Sequence, residues 1–599
     1  MGSVLIVISA EPAPQREERL ERMAARSPYR GRLQLLHLPG ASVGIQARQD
    51  ESTLYADDAL VVACQGRVYD PAAKDADPYR MPSAERVAQR WRAVGSRCLS
   101  ELDGDFGVWV YDRRRDLAYA ALSLSMTRPL YMAQQRELIV LASEMRQVAA
   151  GAGIAQRLDL ERVVEGLLAG GPVLALDRTE YVGIDRLLAP DLYRFALQGP
   201  SVAVEGAYWS PPAEQRFSAD QAAELPAALL DVLSVCVDTL PRSTAFSLSS
   251  GYDSGALWAV AHRAGSTRAD FRAYTLFHGG SASDEREVVR RLMSQTGTSA
   301  KFIDAARVKA SAYAEAHSRQ VDRLPQVATL HTMDLIGEAA RADGMSCHAT
   351  GFGVEAWLHA SATYAADLLR RGNLAALLVD ALRYRAYGAR PAGRLSSALR
   401  FLRTAAAPPG SLLHRLRHRG RGAPYWLEPR WHDLSAAIDA RLDRLYSYEG
   451  FGRGQKWLNL RLYAIGVGVE RVEQLGERYG LELSTPFMHR RVTEFGFRVP
   501  ARLLTGGRHP KDLLRRCAAL ALGAPPPWSL YKLVDQAYAA DPDLPRGLGD
   551  ASSWHLLQQE VVRPEVLRQL LDAAGADSKT ERLRKSLAFS ERSLRLYGL

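Results

Sequence analysis

One stretch near the middle of the sequence combines the residue types of an anion-binding loop with a carboxylate. The apolar run from Ala245 to Leu248 predicts a short buried strand, and the Ala-rich segment from Ala256 to His262 predicts a helix. Between them lie small polar residues and one acid: Ser249, Ser250, Gly251, Asp253 and Ser254. A turn of this kind before a helix N-terminus binds anions through backbone N–H groups and the helix dipole.

Asp253 decides which anion such a loop would bind. A carboxylate repels a bare phosphate, but it suits a polyphosphate if a Mg²⁺ ion lies between the two. The stretch is not a P-loop, because the Gly-Lys-Ser/Thr ending is absent. The alternative is a Ser/Gly turn that caps a helix, with Asp253 as a solvated acid of the first turn.

The loop resembles the Ser-Gly-Gly-x-Asp-Ser pyrophosphate loop of the ATP pyrophosphatases, enzymes that adenylate a carboxylate and release pyrophosphate. Ser250 replaces a Gly of that pattern, which slightly restricts the backbone. The resemblance implies ATP and Mg²⁺ as cofactors, with Asp253 as a metal ligand. It also implies that the remaining small residues of the loop hold pyrophosphate: Ser249, Ser250, Gly251 and Ser254.

A second block, Thr350-Gly-Phe-Gly-Val-Glu355, resembles the Thr/Ser-Gly-x-Gly-x-Asp segment of the same superfamily. The acid of that segment is the second Mg²⁺ ligand, so the resemblance implies that Asp253 and Glu355 share one ion. Thr350 and Gly351 would line the nucleotide site. Glu355 is one methylene longer than the family's Asp, and a surface Glu after a Gly-rich turn is the alternative.

Two apolar residues at the ends of predicted strands complete the nucleotide site by resemblance. Leu248 ends the first strand, and Phe277 ends the strand-like run that begins at Phe271. The resemblance implies that they flank the adenine. Plain core packing would explain both residues equally well.

Three charged residues further along carry the predicted catalytic roles. Glu482 lies in a block that resembles the family's Gly-Leu-Glu-x-Arg-x-Pro-Phe-Leu-Asp, where the acid orients or deprotonates the nucleophile; the Arg and Asp are Ser484 and His489 here. Lys511 matches the family's Lys-x-x-Leu-Arg helix and would meet a phosphate. Lys532 falls where the family places the Lys that stabilises leaving pyrophosphate, a task suited to a mobile point charge. An ordinary surface lysine is the alternative for Lys532.

Short strand-like runs separated by turn residues predict an α+β layered domain for residues 1–205. Gly66-Arg-Val-Tyr-Asp70 and the Asp-Gly-Asp-Phe-Gly that follows Leu102 resemble landmarks of the Ntn-type glutaminase domain of asparagine synthetases. Such a glutaminase needs Cys as its first mature residue, both as nucleophile and, through its free amine, as general base. The sequence has Gly2 and Ser3 there. We therefore expect a degenerate glutamine amidotransferase-like domain.

Residues 216–599 predict an ATP-using domain. Helical and strand patterns alternate, which is typical of a parallel sheet with helices on both faces and ligands beyond the carboxyl ends of the strands. The fold class predicted for the whole chain is α/β. An amidotransferase-like domain that lacks the catalytic Cys precedes an asparagine synthetase-like ATP-pyrophosphatase domain.

The composition indicates a folded, water-soluble chain. The net charge is +10 over 599 residues, and 47% of the residues are hydrophobic. No run of 18 apolar residues predicts a membrane span, and the N-terminus lacks the basic region of a signal peptide. Five scattered cysteines without metal spacing predict reduced core thiols and a cytoplasmic protein.

Residues 381–427 carry ten arginines and no acid. A solvated or disordered loop is the first interpretation. A docking surface for an acidic peptide or a partner protein is the second, and a nucleic-acid surface is the last, because few aromatic residues interrupt the arginines.

Three branches of the asparagine synthetase superfamily fit the sequence differently. Asparagine synthetases proper need the N-terminal Cys. β-Lactam synthetases lack it too, but they use a catalytic Tyr where this chain has Phe352. Lasso-peptide cyclases join a peptide's N-terminal amine to an internal Asp or Glu side chain. They also lack the Cys, and they often carry a basic insertion and a Pro-x-Trp-Leu element like Pro424-Tyr-Trp-Leu427.

The sequence is identified as a member of the lasso-peptide branch, an AMP-forming macrolactam synthetase. The implied partners are a precursor peptide, a leader peptidase and a leader-recognition protein. No membrane partner is expected, and nucleic acid is the least favoured partner. Two alternatives stay open. One is a β-lactam-synthetase-like or asparagine-synthetase-like small-molecule amide ligase, and the other is a non-catalytic nucleotide-binding scaffold.

Overall fold

A computed structural model shows the chain as two layered parts. It describes residues 2–47, 54–71, 81–169, 173–265, 270–277, 284–307, 330–385, 394–408, 411, 423–445, 450–466, 469–528 and 554–572, together with 583–584, 587–588, 591 and 594–595. Lys532 lies outside the described residues, as do parts of the arginine-rich stretch.

Seventeen strands are described. They are Ser3–Ser9 (β1), Arg32–Leu38 (β2), Ala41–Ala47 (β3), Leu54–Ala56 (β4), Leu60–Tyr69 (β5), Asp103–Asp112 (β6), Leu117–Leu122 (β7), Tyr131–Gln135 (β8), Leu138–Ala142 (β9), Asp185–Arg186 (β10), Asp191–Ala196 (β11), Ser201–Ala207 (β12), Ser243–Ser247 (β13), Asp270–Phe277 (β14), Ala300–Asp304 (β15), Cys347–Ala349 (β16) and Glu482–Ser484 (β17).

The described α-helices are Ala13–Ala25 (α1), Ser83–Val94 (α2), Met145–Ala152 (α3), Leu160–Ala169 (α4), Ala219–Asp238 (α5), Tyr252–Gly265 (α6), Arg286–Thr296 (α7), Leu330–Ala342 (α8), Val354–Trp357 (α9), Tyr364–Arg370 (α10), Leu374–Arg383 (α11), Arg394–Ala406 (α12), His432–Leu445 (α13), Phe451–Gly466 (α14), Val469–Arg478 (α15), Arg490–Arg498 (α16), Ala501–Thr505 (α17), Asp512–Leu522 (α18), His555–Gln558 (α19) and Pro564–Asp572 (α20). None of these helices is long and apolar enough to cross a membrane.

The N-terminal part is a sandwich of two antiparallel sheets. One sheet has the strand order β10-β8-β9-β1-β3-β2, and the other has β12-β11-β7-β6-β5-β4. Alternate residues of β1, such as Ile6 and Ile8, face the second sheet, where Val61 and Trp109 share their core. The opposite faces carry α1 and α3 on one sheet and α2 on the other. These layers confirm the predicted glutaminase-like fold.

The C-terminal part is built on a parallel sheet of five strands in the order β15-β14-β13-β16-β17. Parallel pairing places Ser247 beside Tyr274 and Ala349 beside Ser484, so the carboxyl ends of the strands share one edge. Helix α8 packs Leu335 on one face of the sheet, while α5 and α6 pack in the core on the other. The fold predicted for this part, a parallel sheet flanked by helices, is confirmed.

Buried ion pairs between side chains join the two parts. Arg128 of the sandwich donates to Glu473 of α15 at 2.7 Å, and Arg30 reaches the other oxygen of the same carboxylate at 3.3 Å. In addition, Asp103 of β6 accepts the backbone N–H groups of Arg490 and Arg491, the first two residues of α16. A carboxylate at a helix N-terminus pairs free donors and complements the helix dipole. These buried contacts therefore hold the amidotransferase-like part against the C-terminal part.

The arginine-rich stretch corrects one expectation. A loop was the first interpretation of residues 381–427, but residues 394–406 form helix α12, and the chain from Leu374 to Arg383 is helical as well. The reason is amphipathic spacing: Ala398, Phe401 and Ala405 of α12 are buried, while Arg400 and Arg403 are exposed.

Candidate active site

A buried lysine gathers the two predicted metal ligands. Lys511 Nζ donates to both carboxylate oxygens of Asp253, at 2.8 and 2.7 Å, and to Glu355 Oε1 at 2.7 Å. The Lys511 side chain is 2% exposed, whereas those of Asp253 and Glu355 are 21% and 45% exposed. The two carboxylates thus converge on one cationic centre and remain open to solvent on their other side.

The three side chains come from the carboxyl edge of the parallel sheet. Asp253 lies in the first turn of α6, after β13, and Glu355 lies in the first turn of α9, after β16. Lys511 directly precedes α18. Helix α6 begins at Tyr252, four residues earlier than the sequence pattern predicts, so Asp253 belongs to the helix and not to the turn before it.

Gly351 allows the two segments to approach each other. A Cβ atom at this position would lie 2.8 Å from the backbone N of Ser254 and 3.0 Å from the carbonyl carbon of Asp253. Any side chain would therefore separate the Gly-rich turn from the loop that carries Asp253. Gly351 brings the two carboxylates within reach of one ion.

The electrostatics of the cluster favour a cation. Burial, the largest effect, raises the pKa of Asp253, and the neighbouring Glu355 carboxylate acts in the same direction against Lys511. Burial would raise the pKa of Glu355 too, but the Lys511 ammonium lowers it overall. Burial opposes the charge of Lys511, yet the two carboxylates hold its pKa above the ordinary value. With all three groups ionised, one ammonium leaves a net negative charge.

The loop after β13 binds an anionic group in this structure. The backbone N–H of Ser250 donates to Glu285 Oε2 at 3.1 Å, and the Ser250 hydroxyl donates to Glu285 Oε1 at 2.8 Å. Ser249 and Ser254 are hydrogen-bonded to each other through their hydroxyls at 2.9 Å, and Ser249 Oγ accepts the N–H of Gly251. Because the two donors of Ser250 bind a carboxylate, the loop is suited to oxyanions, as a pyrophosphate site requires.

Thr350 supplies a further polar group at the same edge. Its backbone N–H donates to the carbonyl of Ser484 at 3.1 Å, which ties the Gly-rich turn to β17. Its hydroxyl oxygen is buried and has no hydrogen-bond partner among the described residues. A buried hydroxyl without a partner is costly in a folded protein, and a bound polar ligand would relieve that cost.

The predicted adenine-flanking residues lie at the ends of neighbouring strands. Leu248 is buried and donates its backbone N–H to the carbonyl of Tyr274 at 2.9 Å. Phe277 is half-buried, and the Arg286 guanidinium lies 4.1 Å from the centre of its ring. Packing in the core is enough to explain why Leu248 is apolar. Contact with adenine stays a prediction for Leu248 and Phe277.

These residues fit ATP and Mg²⁺. Mg²⁺ is held in proteins by one or two carboxylates together with substrate phosphates and waters, not by a cage of protein ligands. Asp253 and Glu355 provide such a pair, and no cluster of three or more His, Cys, Asp or Glu side chains suited to a metal occurs in the part of the chain that the structure describes. In that role the ion would neutralise phosphate charge.

Glu482 lies apart from this cluster. Its carboxylate is 6% exposed and pairs with Arg67 of β5, and Arg128 lies 3.9 Å away. Both arginines belong to the N-terminal sandwich. Together with His489, Asp105 and others, Arg67 and Glu482 line a polar cavity of about 10 Å³ between the two parts, which is room for about one water molecule. That Glu482 orients or deprotonates an incoming amine stays a prediction.

Sequence reasoning missed two residues that shape the loop. Glu285 precedes α7 and occupies the donors of Ser250; its place after a predicted strand end was the available signal. Trp528 packs edge-on against Tyr252, with ring centres 5.6 Å apart, and its ring fills the space where Gly255 lacks a side chain. Trp528 thus packs against α6, and the role of Lys532, outside the described residues, stays a prediction.

The amidotransferase-like part offers no accessible thiol in the described residues. All five cysteines are free and buried. Cys64 lies within β5, where burial raises its pKa. At the start of β1, Ser3 is buried and donates its hydroxyl to Gln147 Oε1 at 2.8 Å, so it is held in a structural hydrogen bond.

We therefore expect no glutaminase activity. A buried thiol with a raised pKa supplies little thiolate, and the thiolate is the nucleophile. Incubation with glutamine should release no more glutamate than a sample without enzyme, with or without ATP. Glutamate release that disappears after treatment with a thiol-alkylating reagent would contradict this expectation.

Comparison with known proteins places the two parts. The asparagine synthase family model matches residues 240–588, more than half of the chain, and the glutamine amidotransferase domain model matches residues 54–209. No curated protein matches.

Three solved structures show a low similarity to this chain. The structure of the allosteric regulatory enzyme of purine biosynthesis is 10% identical, with a TM-score of 0.24, and the match covers 50% of this chain and 80% of that one. Glutamine phosphoribosylpyrophosphate amidotransferase from B. subtilis, complexed with ADP and GMP, is 10% identical over the same shares, with a TM-score of 0.22. U34-tRNA thiolase NcsA from Methanococcus maripaludis is 12% identical over 41% of this chain and 79% of that one, with a TM-score of 0.21.

Enzymes with this C-terminal domain are ATP-dependent and of the ligase type. The parallel sheet, the oxyanion-binding loop and the paired carboxylates lie within the matched residues. The chain belongs to the asparagine synthase family.

Proposed function

We propose that the protein is a macrolactam synthetase of the lasso-peptide type, which adenylates an Asp or Glu side chain of a peptide and closes a ring onto the peptide's N-terminal amine. One observation carries the proposal. Paired carboxylates and an oxyanion-binding loop, suited to ATP, are joined to an amidotransferase-like part in which every cysteine is buried. Carboxylate activation without a glutamine-derived amine requires that a substrate supply the amine, as a peptide's own N-terminus does in ring closure.

The reaction has two steps. A carboxylate oxygen of the peptide attacks the α-phosphorus of ATP, the bond between the α-phosphorus and the bridging oxygen breaks, and pyrophosphate leaves. The amine nitrogen then attacks the acyl carbon, a proton is lost from nitrogen, and AMP departs with the former carboxylate oxygen. Positioning carries much of the rate in such a reaction, because both reacting ends belong to one flexible chain.

The predicted site residues have different roles in these two steps. Asp253 and Glu355 would hold Mg²⁺, which neutralises phosphate charge. The donors of Ser249, Ser250, Gly251 and Ser254 would hold the pyrophosphate, displacing Glu285. Lys511, and Lys532 beyond the described residues, would stabilise the departing charge. Glu482, fixed by Arg67, would attend the amine.

The assignment to the lasso-peptide branch rests on resemblance. Phe352 stands where β-lactam synthetases use a Tyr, so the hydroxyl of that chemistry is missing. The Pro424-Tyr-Trp-Leu427 element supports the branch less strongly. Trp426 and Leu427 are buried in a core with Trp554 and Val562, and core packing alone explains them.

Peptide-dependent exchange of pyrophosphate into ATP tests this proposal. The probes are synthetic peptides with a free N-terminal amine and one internal Asp or Glu at varied positions, together with any short peptide encoded beside the gene. The matching acid should support exchange and form AMP, while its Asn or Gln counterpart should do neither. The N-acetylated acid should support exchange but give no cyclic product, because only the second step needs the amine.

The alternatives give other outcomes. A small-molecule amide ligase would show exchange with an amino acid or a β-amino acid and none with peptides. A non-catalytic scaffold would bind ATP without exchange for any probe.

A further inference from the structure

Exposed apolar side chains concentrate on three consecutive helices. The described residues include twelve large apolar side chains that are exposed, and seven of them lie on α10, α11 and α12: Leu369, Leu374, Leu378, Val379, Leu382, Leu395 and Leu399. Three of them follow one stripe of α11 at helical spacing, with exposures of 55% for Leu374, 57% for Leu378 and 70% for Leu382. We call these seven residues the leucine face.

The leucine face is not needed for the core of these helices. Their core is aromatic: Tyr364, Tyr384 and Phe401 pack with ring centres 5.1–6.2 Å apart. Helix α11 already buries Leu377 and Ala381 on its inner side. It is thus apolar on both sides, and a helix that is apolar all round is normally covered. Exposed apolar patches of this kind mark interaction sites in soluble proteins.

The exposed charged side chains that the structure describes on α10, α11 and α12 are all positive, and Arg371, in the turn between α10 and α11, pairs with Glu214. Residues 364–385 and 394–408 contain two carboxylates, and both are used internally. Asp367 accepts the backbone N–H groups of Phe451 and Gly452, and the buried Asp380 pairs with Arg502 at 2.8 Å. In contrast, four arginines of these helices are exposed: Arg370, Arg383, Arg400 and Arg403.

We propose that the leucine face binds a segment of another polypeptide that is helical, apolar on one side and rich in Asp or Glu on the other. Its apolar side chains would cover the leucines, and its carboxylates would meet the exposed arginines. The proposal is independent of the reaction proposed above. It assigns a function to the arginine-rich stretch, which has no role in that reaction.

Two other occupants fit less well. A second copy of this chain would bring the same positive charges together, which costs free energy. A helix that lies in a lipid surface typically carries Trp or Phe beside Leu on its apolar face, but the aromatic residues of α10 and α12 and Tyr384 point into the core.

Binding of a synthetic helix to the full chain tests this inference. The probe is a labelled amphipathic peptide with leucines three and four residues apart and Glu and Ala elsewhere. Fluorescence anisotropy should show saturable binding that weakens as salt is added, because the pairing is between exposed charges. A peptide with Lys in place of Glu, and a scrambled Glu peptide, should bind at least tenfold more weakly.

Variants of the protein locate the binding. The double variant Leu378→Ser/Leu382→Ser and the charge reversal Arg400→Glu/Arg403→Glu should each weaken binding at least tenfold. Val204→Ser, which changes an equally exposed apolar residue of β12, should not. Thermal unfolding of every variant should match that of the parent, because these side chains lie in water.

Three outcomes would overturn the inference. One is the absence of binding to the Glu peptide, and another is binding that both double variants retain. The third is leucine-dependent association with phosphatidylglycerol vesicles that the Glu peptide does not displace, which would make the face a lipid-binding surface.

Discussion

Asp253→Asn is expected to abolish adenylation while the protein stays folded. The substitution keeps the size of the side chain but removes the charge that would hold the metal ion against the triphosphate. Loss of roughly a thousandfold in AMP formation corresponds to about 4 kcal/mol of transition-state stabilisation. The fold should survive, since Lys511 keeps Glu355 as a partner at 2.7 Å.

The measurement is AMP release under saturating ATP, with circular dichroism and thermal unfolding as checks on the fold. Asp270→Asn is the matched control. This carboxylate is exposed at the start of β14, pairs with Arg272 and lies at the opposite end of the strand from the site. Near-normal AMP formation by Asp253→Asn would show that the loop does not hold the metal.

Lys511→Ala is expected to reduce both activity and stability, and Mg²⁺ should restore part of the stability. Without the ammonium, two carboxylates face one another with no cation between them. Loss of one partner of a fully buried pair costs roughly 3–5 kcal/mol, and the cost here should be nearer to about 2 kcal/mol because both carboxylates reach water. Adenylation should fall on the order of a hundredfold.

Thermal unfolding with and without Mg²⁺ separates this account from a structural one. A cation that binds the folded state raises its stability by mass action, so the variant should gain more from Mg²⁺ than the parent does. Lys511→Arg should rescue poorly, because a planar guanidinium does not replace a compact ammonium at a 2% exposed position. Equal responses of parent and variant to Mg²⁺ would contradict a shared cation site.

The local sequence is sufficient to predict the strand, the loop and the helix around Asp253. An apolar run, small turn residues and an Ala-rich segment each have a mechanism within a few residues, so the pattern predicts the element order and the anion-binding loop. The start of α6 was misplaced by four residues, because Tyr252 and Asp253 satisfy the helix only once the tertiary structure packs Tyr252 against His509 and Trp528.

Contacts over long sequence separations could not be predicted from pattern. Lys511 and Asp253 are 258 residues apart, and the packing of α18 against α6 brings them together. The sequence predicts a phosphate contact for Lys511, which stays a prediction, and its contacts with two carboxylates were not foreseen. In the same way, the Arg67 partner of Glu482 lies in the other part of the chain, 415 residues away.

Transfer of an oxygen label from the peptide to AMP tests the central claim most directly. The acceptor Asp or Glu of an active peptide is labelled with ¹⁸O in its side-chain carboxylate, and the products are separated and weighed by mass spectrometry. If the chain adenylates that carboxylate before ring closure, AMP carries one labelled oxygen, pyrophosphate carries none, and the cyclic peptide retains the other. Label in inorganic phosphate with formation of ADP, or unlabelled AMP beside a cyclic product, would contradict the account.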